Sequence, residues 1–301
     1  MQKMSETIVF FGSGPVAAKA LSLLTKNFTI EAIVSKPKPV GHHGDFPVLS
    51  LANKLNLKTF TVSNKQELSE LFKNKPVKGR LGVVIDFGII INQDVIDYFA
   101  FGIVNSHFSL LPEWRGADPI TFSILSGQNK TGVSLMLIDE TLDTGKLIAQ
   151  KSLTILPSDT TPSLTESLIG ISDSLLANYL PKYIDGTVKL REQPHSSRAT
   201  YSRKLTKEDG VIDWHKPAEQ IEREIRAYLD WPKSRTILGD KEVIIIKTHL
   251  VDKSGQSGQF HTENKQLIAY TGSQALAIDR LKPAGKNEMS GEAFIRGYLR
   301  S

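Results

Sequence analysis

No cysteine occurs anywhere in the 301 residues, and that one absence excludes disulfides, thiolate nucleophiles and thiolate metal sites together. Long apolar runs are missing too. The most hydrophobic stretch, residues 81–91, falls short of the roughly 20 residues a bilayer-spanning helix needs, and Asp86 interrupts it. Met1 to Glu6 run straight into the strand-like Thr7-Ile8-Val9-Phe10-Phe11 with neither a basic nor an apolar export region, so the expectation is a cytoplasmic protein. Internal repeats and low-complexity blocks are also lacking. What is present is an ordinary globular composition, 40% hydrophobic and 23% charged, in a chain long enough for two domains.

The net charge of +5 is unevenly placed. Residues 1–181 and 208–301 are each balanced, whereas residues 182–207 carry Lys182, Lys189, Arg191, Arg198, Arg203, Lys204 and Lys207 against Asp185 and Glu192. A positive strip between two neutral bodies fits a polyanionic partner, because phosphate contacts release counterions. A solvated linker that happens to be basic fits it as well.

Strand and helix signals alternate over the first 180 residues. Strands are predicted at 7–11, 30–35, 81–85, 103–107 and 132–139, and helices at 16–24, 48–55, 117–126 and from 161 onward, with a short one after Asn92. This alternation predicts an α/β fold, a Rossmann-like open and mostly parallel sheet with helices on both faces. The texture then changes. Residues 186–210 are polar and aperiodic, and after a helix at 218–229 come short strand candidates at 235–238, 243–247, 259–261, 267–270 and 276–281, with turn residues at Gly239-Asp240 and Gly272-Ser273. The predicted organisation is a catalytic domain over 1–185, a basic linker over 186–207 and a small β-barrel domain over 208–301.

The segment richest in chemistry is Asn105-Ser106-His107-Phe108-Ser109-Leu110-Leu111-Pro112. In open α/β sheets ligands bind beyond the carboxyl ends of the strands, and a period of two points Asn105 and His107 to the same side. An amide that can stabilise an oxyanion beside an imidazole that can take a proton suits acyl transfer. A lone histidine at a strand end is also commonly structural. Asp143, in Leu142-Asp143-Thr144-Gly145, is a candidate to orient the imidazole, though Asp-Thr-Gly is ordinary turn chemistry too.

Other motifs carry less. Gly12-x-Gly14-x-x-Ala17 after a strand satisfies a dinucleotide fingerprint and makes an NAD(P) oxidoreductase the rival class, but Ser35-Lys36 stand where an acidic residue is expected. Asp86-Phe87-Gly88 copies a kinase tripeptide without the other kinase signatures. His42-His43 lacks a third ligand, and no metal is expected. Trp114 and Trp231 read as packing anchors.

Asn105-x-His107, Ser109-Leu110-Leu111-Pro112, Trp114-Arg115-Gly116-Ala117-x-Pro119-Ile120 and Leu142-Asp143-Thr144-Gly145 together resemble the 10-formyltetrahydrofolate-dependent formyltransferase family. Three later segments resemble its methionyl-tRNA branch: Lys204-Leu205-Thr206-Lys207-Glu208-Asp209-Gly210-x-Ile212-Asp213-Trp214, Ile225-Arg226-Ala227 with Trp231-Pro232, and Leu281-Lys282-Pro283-Ala284-Gly285-Lys286. The resemblance covers essentially the whole chain. It implies that Asn105, His107 and Asp143 are catalytic, that Ser109, Leu110, Leu111 and Pro112 with Phe87, Gly88 and Ile89 line the folate site, and that the C-terminal domain is an OB-like barrel helping to hold tRNA. It further implies 10-formyltetrahydrofolate as co-substrate, initiator methionyl-tRNA as acceptor, and a monomer. Candidate tRNA contacts are Lys36, Lys38, Arg191, Arg203 and Lys204. The segment 36–47 is shorter and less basic than is usual in the family. A formyltransferase acting on an amino-sugar nucleotide, and a tRNA-binding protein without activity, are the alternatives.

Overall fold

The computed structural model describes residues 7–39, 41, 44–194 and 198–299; the segment Met1–Glu6 and the pair His42-His43 lie outside them. The chain divides into two compact units. One comprises the chain through Pro119 with Lys130–Thr154 and Thr165–Ser202, the other Ile120–Asn129, Ile155–Leu164 and Arg203 onward. No helix among the described residues is long and apolar enough to cross a membrane.

In the first unit β1 (Thr7–Phe11), β2 (Thr29–Ser35), β3 (Thr59–Thr61), β4 (Leu81–Val84) and β5 (Ile103–His107) are parallel, in the order β3-β2-β1-β4-β5. A two-residue strand, β6 (Arg115–Gly116), stands apart from this sheet. β7 (Lys130–Leu137) and β8 (Leu147–Thr154) then extend the sheet beyond β5 with antiparallel pairing. Parallel neighbours require crossovers, supplied by α1 (Pro15–Asn27), α2 (Pro47–Lys54), α3 (Lys65–Lys73) and α4 (Gln93–Tyr98). A helix α5 (Pro119–Leu125) precedes β7, and α6 (Thr161–Ile184) follows β8.

Covering both faces makes interior strands such as β1 apolar along most of their length. Ile8, Val9, Phe10 and Phe11 all have 0% exposure. Val9 and Phe11 pack into a cluster with Leu68 and Phe72 of α3 and Val95 of α4, where the Phe72 ring lies 5.9 Å from Phe11 and 5.0 Å from Tyr98. Neither β3 nor α3 is predicted from sequence, since Lys, Asn and Glu dilute the apolar pattern there. A local signal does exist: the Asn64 side chain accepts from the N–H groups of Gln66 and Glu67 at 3.0 Å, and Glu67 accepts from Ser63 N at 2.7 Å, a reciprocal cap of the Asn-x-x-Glu kind.

The turn from β1 into α1 explains the dinucleotide-like glycines. A Cβ on Gly12 would lie 2.7 Å from Ala17 Cβ and 2.8 Å from the Ile85 carbonyl oxygen, and one on Gly14 would lie 1.9 Å from Asp86 Oδ2. The Asp86 carboxyl accepts from the Ala17 N–H, so the first turn of α1, where a pyrophosphate would otherwise rest, holds an internal carboxylate. Asp86 is exposed at the strand end, yet its carboxyl group is tucked into the turn. That burial pushes its pKa up to about 6, against the opposing pull of Lys36.

The second unit contains α7 (Ala218–Ala227) and an antiparallel sheet. A two-residue strand at Tyr201–Ser202, β9, belongs to the first unit and pairs with β6. β10 (Ser234–Leu238), β11 (Lys241–Val251), β12 (Phe260–Glu263), β13 (Gln266–Tyr270) and β14 (Ala275–Pro283) take the order β10-β11-β14-β13-β12, and β15 (Met289–Ser290) joins β14. Helix α8 (Gly291–Phe294) follows, its N-terminus capped by Ser290 Oγ accepting from Ala293 N at 3.2 Å, and runs on into a π-helical turn at Ile295–Leu299. Asn264 and Lys265, both at positive φ, turn β12 into β13 as a two-residue hairpin loop does. Trp214 anchors the core, its Nε1 donating to Thr236 Oγ1 at 2.9 Å. Trp231, expected as an anchor, is instead 55% exposed, because it sits in the loop after α7 rather than under the sheet.

A folded-state pKa for Asp86 above its ordinary 3.8 means the native protein binds this proton more tightly than the unfolded chain. The carboxyl therefore weighs against folding increasingly as pH rises from about 4 to about 6, and fully above that. Asp86→Asn keeps an acceptor for Ala17 and tolerates the positive φ. We expect it to unfold at higher urea concentration than the parent at pH 7.5, with the difference vanishing near pH 4; a pH-independent difference would contradict this assignment.

Candidate active site

Two residues on β5 face one way and the residue between them faces the other. Ser106 Oγ lies 2.6 Å from Ser172 Oγ of α6, while Asn105 and His107 both meet Asp143. Because β7 runs antiparallel to β5, with Leu137 opposite Val104, the β7–β8 loop starts beside the beginning of β5. It must fold back along that strand for Asp143 to reach residues 105 and 107.

The Asp143 carboxylate is the meeting point. Oδ1 accepts from Asn105 Nδ2 at 3.4 Å, and Oδ2 accepts from the Gly116 N–H at 2.8 Å. His107 Nδ1 stands 3.8 Å from Oδ2, with the two side chains only 6% and 11% exposed. On its other edge, His107 Nε2 lies 2.9 Å from the Trp114 carbonyl oxygen. A carbonyl oxygen only accepts, which assigns the ring proton to Nε2. Three of the residues involved have left-handed backbones: Trp114 (φ 53°), Gly116 (φ 110°) and Asp143 (φ 53°). Such conformations persist in non-glycine residues only where neighbours enforce them.

The loop after β5 is fastened from beneath. The Ser134 hydroxyl on β7 donates to Ser109 O at 2.6 Å and accepts from Leu111 N at 3.0 Å. Gln150 Nε2 on β8 reaches Leu111 O and Ser134 Oγ, both at 2.9 Å. Ser109 is fully buried and donates to Glu113 O; Leu111 and Pro112 are buried, and Leu110 is half-buried. Ser134 and Gln150 carry no motif, and only the pairing of β7 with β8 brings them here.

The loop after β4 lies one strand away, since Val84 is paired with Asn105. Gly88 is exposed and Ile89 half-exposed. The Phe87 side chain turns into the core, 5.6 Å from Phe11, so it offers the site only its backbone. The Lys36 ammonium lies within 2.6 Å of where a Gly88 Cβ would stand, turned onto this loop and Asp86 rather than outward.

Of the other basic candidates, Lys38, Arg191 and Lys204 are exposed. Arg191 pairs through its backbone with Leu147. The Arg203 guanidinium is committed within its own unit to the Asp209 carboxylate in a two-pronged ion pair, which holds that carboxyl well below the usual range.

Residues 191–194 and 198–202, expected within a linker, form part of the first unit and strap the site. Gln193 Nε2 donates to Asp143 O at 2.8 Å and Gly145 O at 3.0 Å, while its Oε1 accepts from Arg115 Nη2 at 2.6 Å. Trp114 N donates to Thr200 Oγ1, and Arg115 N to Thr200 O, each at 2.9 Å. A Cβ on Gly116 would lie 2.2 Å from Ser202 O.

The formyl transferase family profile matches residues 7–179, and the profile of the formyl transferase C-terminal domain matches residues 204–299. Among curated relatives, a methionyl-tRNA formyltransferase of Chloroflexus aurantiacus is 34% identical over 96% of both chains. One of Streptococcus equi subsp. zooepidemicus is 33% identical over 98% of this chain and 96% of its own. Among solved structures, an N-formyltransferase from Helicobacter canadensis in complex with folinic acid and dTDP-3-aminofucose shares the fold, with a TM-score of 0.68 and 21% identity over 91% of this chain and 99% of that one. On both domain matches and on full-length identity, the chain belongs to the formyl transferase family.

Proposed function

We propose that this protein transfers the formyl group of 10-formyltetrahydrofolate to the α-amino group of initiator methionyl-tRNA. The observation that carries the reaction type is the convergence of Asn105, His107 and Asp143 from two segments distant in sequence. Relatives named for the methionyl-tRNA reaction, matched over nearly the whole chain, support the acceptor. One chain supplies all three side chains, which supports action as a monomer, and charged tRNA as acceptor supports a cytoplasmic location.

In this reading the neutral amine attacks the formyl carbon. A C–N bond forms to the amino acid, the bond to folate N10 breaks, and the proton lost by the amine ends on N10. Asn105 carries two amide hydrogens. One engages Asp143, leaving the other for the oxyanion that develops in the tetrahedral intermediate. His107 takes the proton from the amine, and Asp143 balances the imidazolium charge. For Nε2 to take that proton, the Trp114 carbonyl must give way and the ring proton must shift to Nδ1, which the Asp143 carboxylate faces, the kind of rearrangement that completes a site on binding. The loop 109–112, with Gly88 and Ile89, provides the folate wall. Lys38 and Arg191 in the first unit are exposed, as is Lys204 in the second, and in this reading each contacts a tRNA phosphate. The ion pair with Asp209 gives Arg203 a structural role, so Lys204 is the better probe of phosphate contact.

Purified protein supplied with 10-formyltetrahydrofolate should formylate methionyl-tRNA and leave an amino-sugar nucleotide untouched; transfer to the sugar alone would reject the acceptor assignment. Asn105→Ala should lower kcat on the order of 10²–10³-fold, and His107→Ala should lower it at least as far with the protein folded. Activity within tenfold of the parent in either variant would remove that residue from the mechanism.

Lys204→Ala should weaken tRNA binding and reduce the slope of log affinity against log salt by about 1, with folate binding unaltered. A slope identical to the parent's would return Lys204 to the solvated surface.

A further inference from the structure

We propose that Gln193 is a positioning residue for formyl transfer, setting the Asp143 carboxylate against Asn105 and His107 from outside the reacting atoms. The proposal rests on the reading of those three residues as the catalytic set.

Asp143 sits in a loop braced from within by the Asp139 carboxylate, which accepts from Thr141 and Thr144 on either side of it. Thr141 and Glu140 are exposed and Leu142 is 62% exposed, so no apolar packing fixes the loop from its outer side. The Asp143 backbone is left-handed. The hydrogen bonds that grip the Asp143 and Gly145 carbonyls come from one side chain, Gln193. The same amide binds Arg115, the neighbour of Gly116, whose N–H holds the Asp143 carboxylate. Arg115 is also next to Trp114, whose carbonyl accepts from His107.

Gln193 thus joins the backbone behind the carboxylate to the loop in front of it. Only a primary amide on a side chain of this length serves both. It offers two N–H donors to two carbonyls and one oxygen to a guanidinium. Glutamate would keep the contact with Arg115 but turn an acceptor toward both carbonyls, and alanine would abandon all three partners. Displacing a catalytic group by about 1 Å can cost on the order of 10²-fold in rate, so a residue that touches no substrate can still govern kcat.

The test is kinetic and uses the full chain with 10-formyltetrahydrofolate and methionyl-tRNA. Gln193→Ala is expected to lower kcat roughly 10- to 100-fold while the KM for each substrate stays within about threefold. If the alanine variant does not fold, Gln193→Asn, which keeps the amide one methylene shorter, should show the same split at smaller size. The decisive comparison is a double-mutant cycle: added to Asp143→Asn, the Gln193 substitution should cost nothing further, because its effect passes through that carboxylate. A merely structural role would lower the melting temperature and multiply the losses. Unchanged kcat in a folded Gln193 variant beside a crippled Asp143→Asn, or an undiminished loss in the double variant, would overturn this proposal alone. Full activity in Asp143→Asn would overturn it together with the catalytic assignment beneath it.

Discussion

The carboxylate of Asp143 is the contact on which the arrangement of this site depends. It is nearly buried, it lies between an amide and an imidazole from one strand, and it also accepts a backbone N–H from the following loop. A charge in such a place is tolerated only when it is surrounded by donors. The requirement works in both directions. The donors hold the carboxylate in place, and the carboxylate fixes the faces of Asn105 and His107. With the ring proton on Nε2 shared with Trp114, both edges of the imidazole are specified before any substrate arrives.

That arrangement is assembled from pieces with different degrees of rigidity. Asn105 and His107 stand on β5, beside β4, the middle strand of the sheet, which is buried along its whole length. Asp143 and Gly116 stand on loops, and these are fastened by a later stretch of chain through Gln193, Thr200 and Ser202. A scaffold that presents two groups rigidly and a third on a strapped loop can admit a bulky acceptor and still recover its geometry. The same economy of parts is visible in the turn at Gly12 and Gly14, where an internal carboxylate fills the anion position at a helix N-terminus. A glycine pattern shared with dinucleotide-binding proteins thereby becomes a packing device.

How much of this was legible in the sequence depended on whether the signal was local. The period-two placement of Asn105 and His107, the parallel strands and the two-part organisation follow from patterns within a few residues of one another. Asp143 was legible as a candidate from its place in the loop after the strand at 132–139, with a plain turn residue as the other reading, because its partners are decided by a loop folding back along an antiparallel neighbour. Gln193, Ser134 and Gln150 gave no signal at all, since single polar residues acquire meaning only from contacts across dozens of positions. β8 escaped notice because its outer half, Gln150 to Thr154, is largely solvated. Formal charge is a coarse guide: the strip at 182–207 is basic by count, and of its charges that of Arg203 is matched by Asp209 outside the strip.

Nitrogen NMR of the His107 ring tests the central contact most directly. With the Trp114 carbonyl on Nε2, the spectrum of the parent shows the ring proton there, and if the Asp143 carboxylate faces Nδ1 as described, Asp143→Asn moves the Nδ1 resonance substantially while Asp86→Asn leaves it alone. An Nδ1 resonance identical in the parent and in Asp143→Asn would contradict the account.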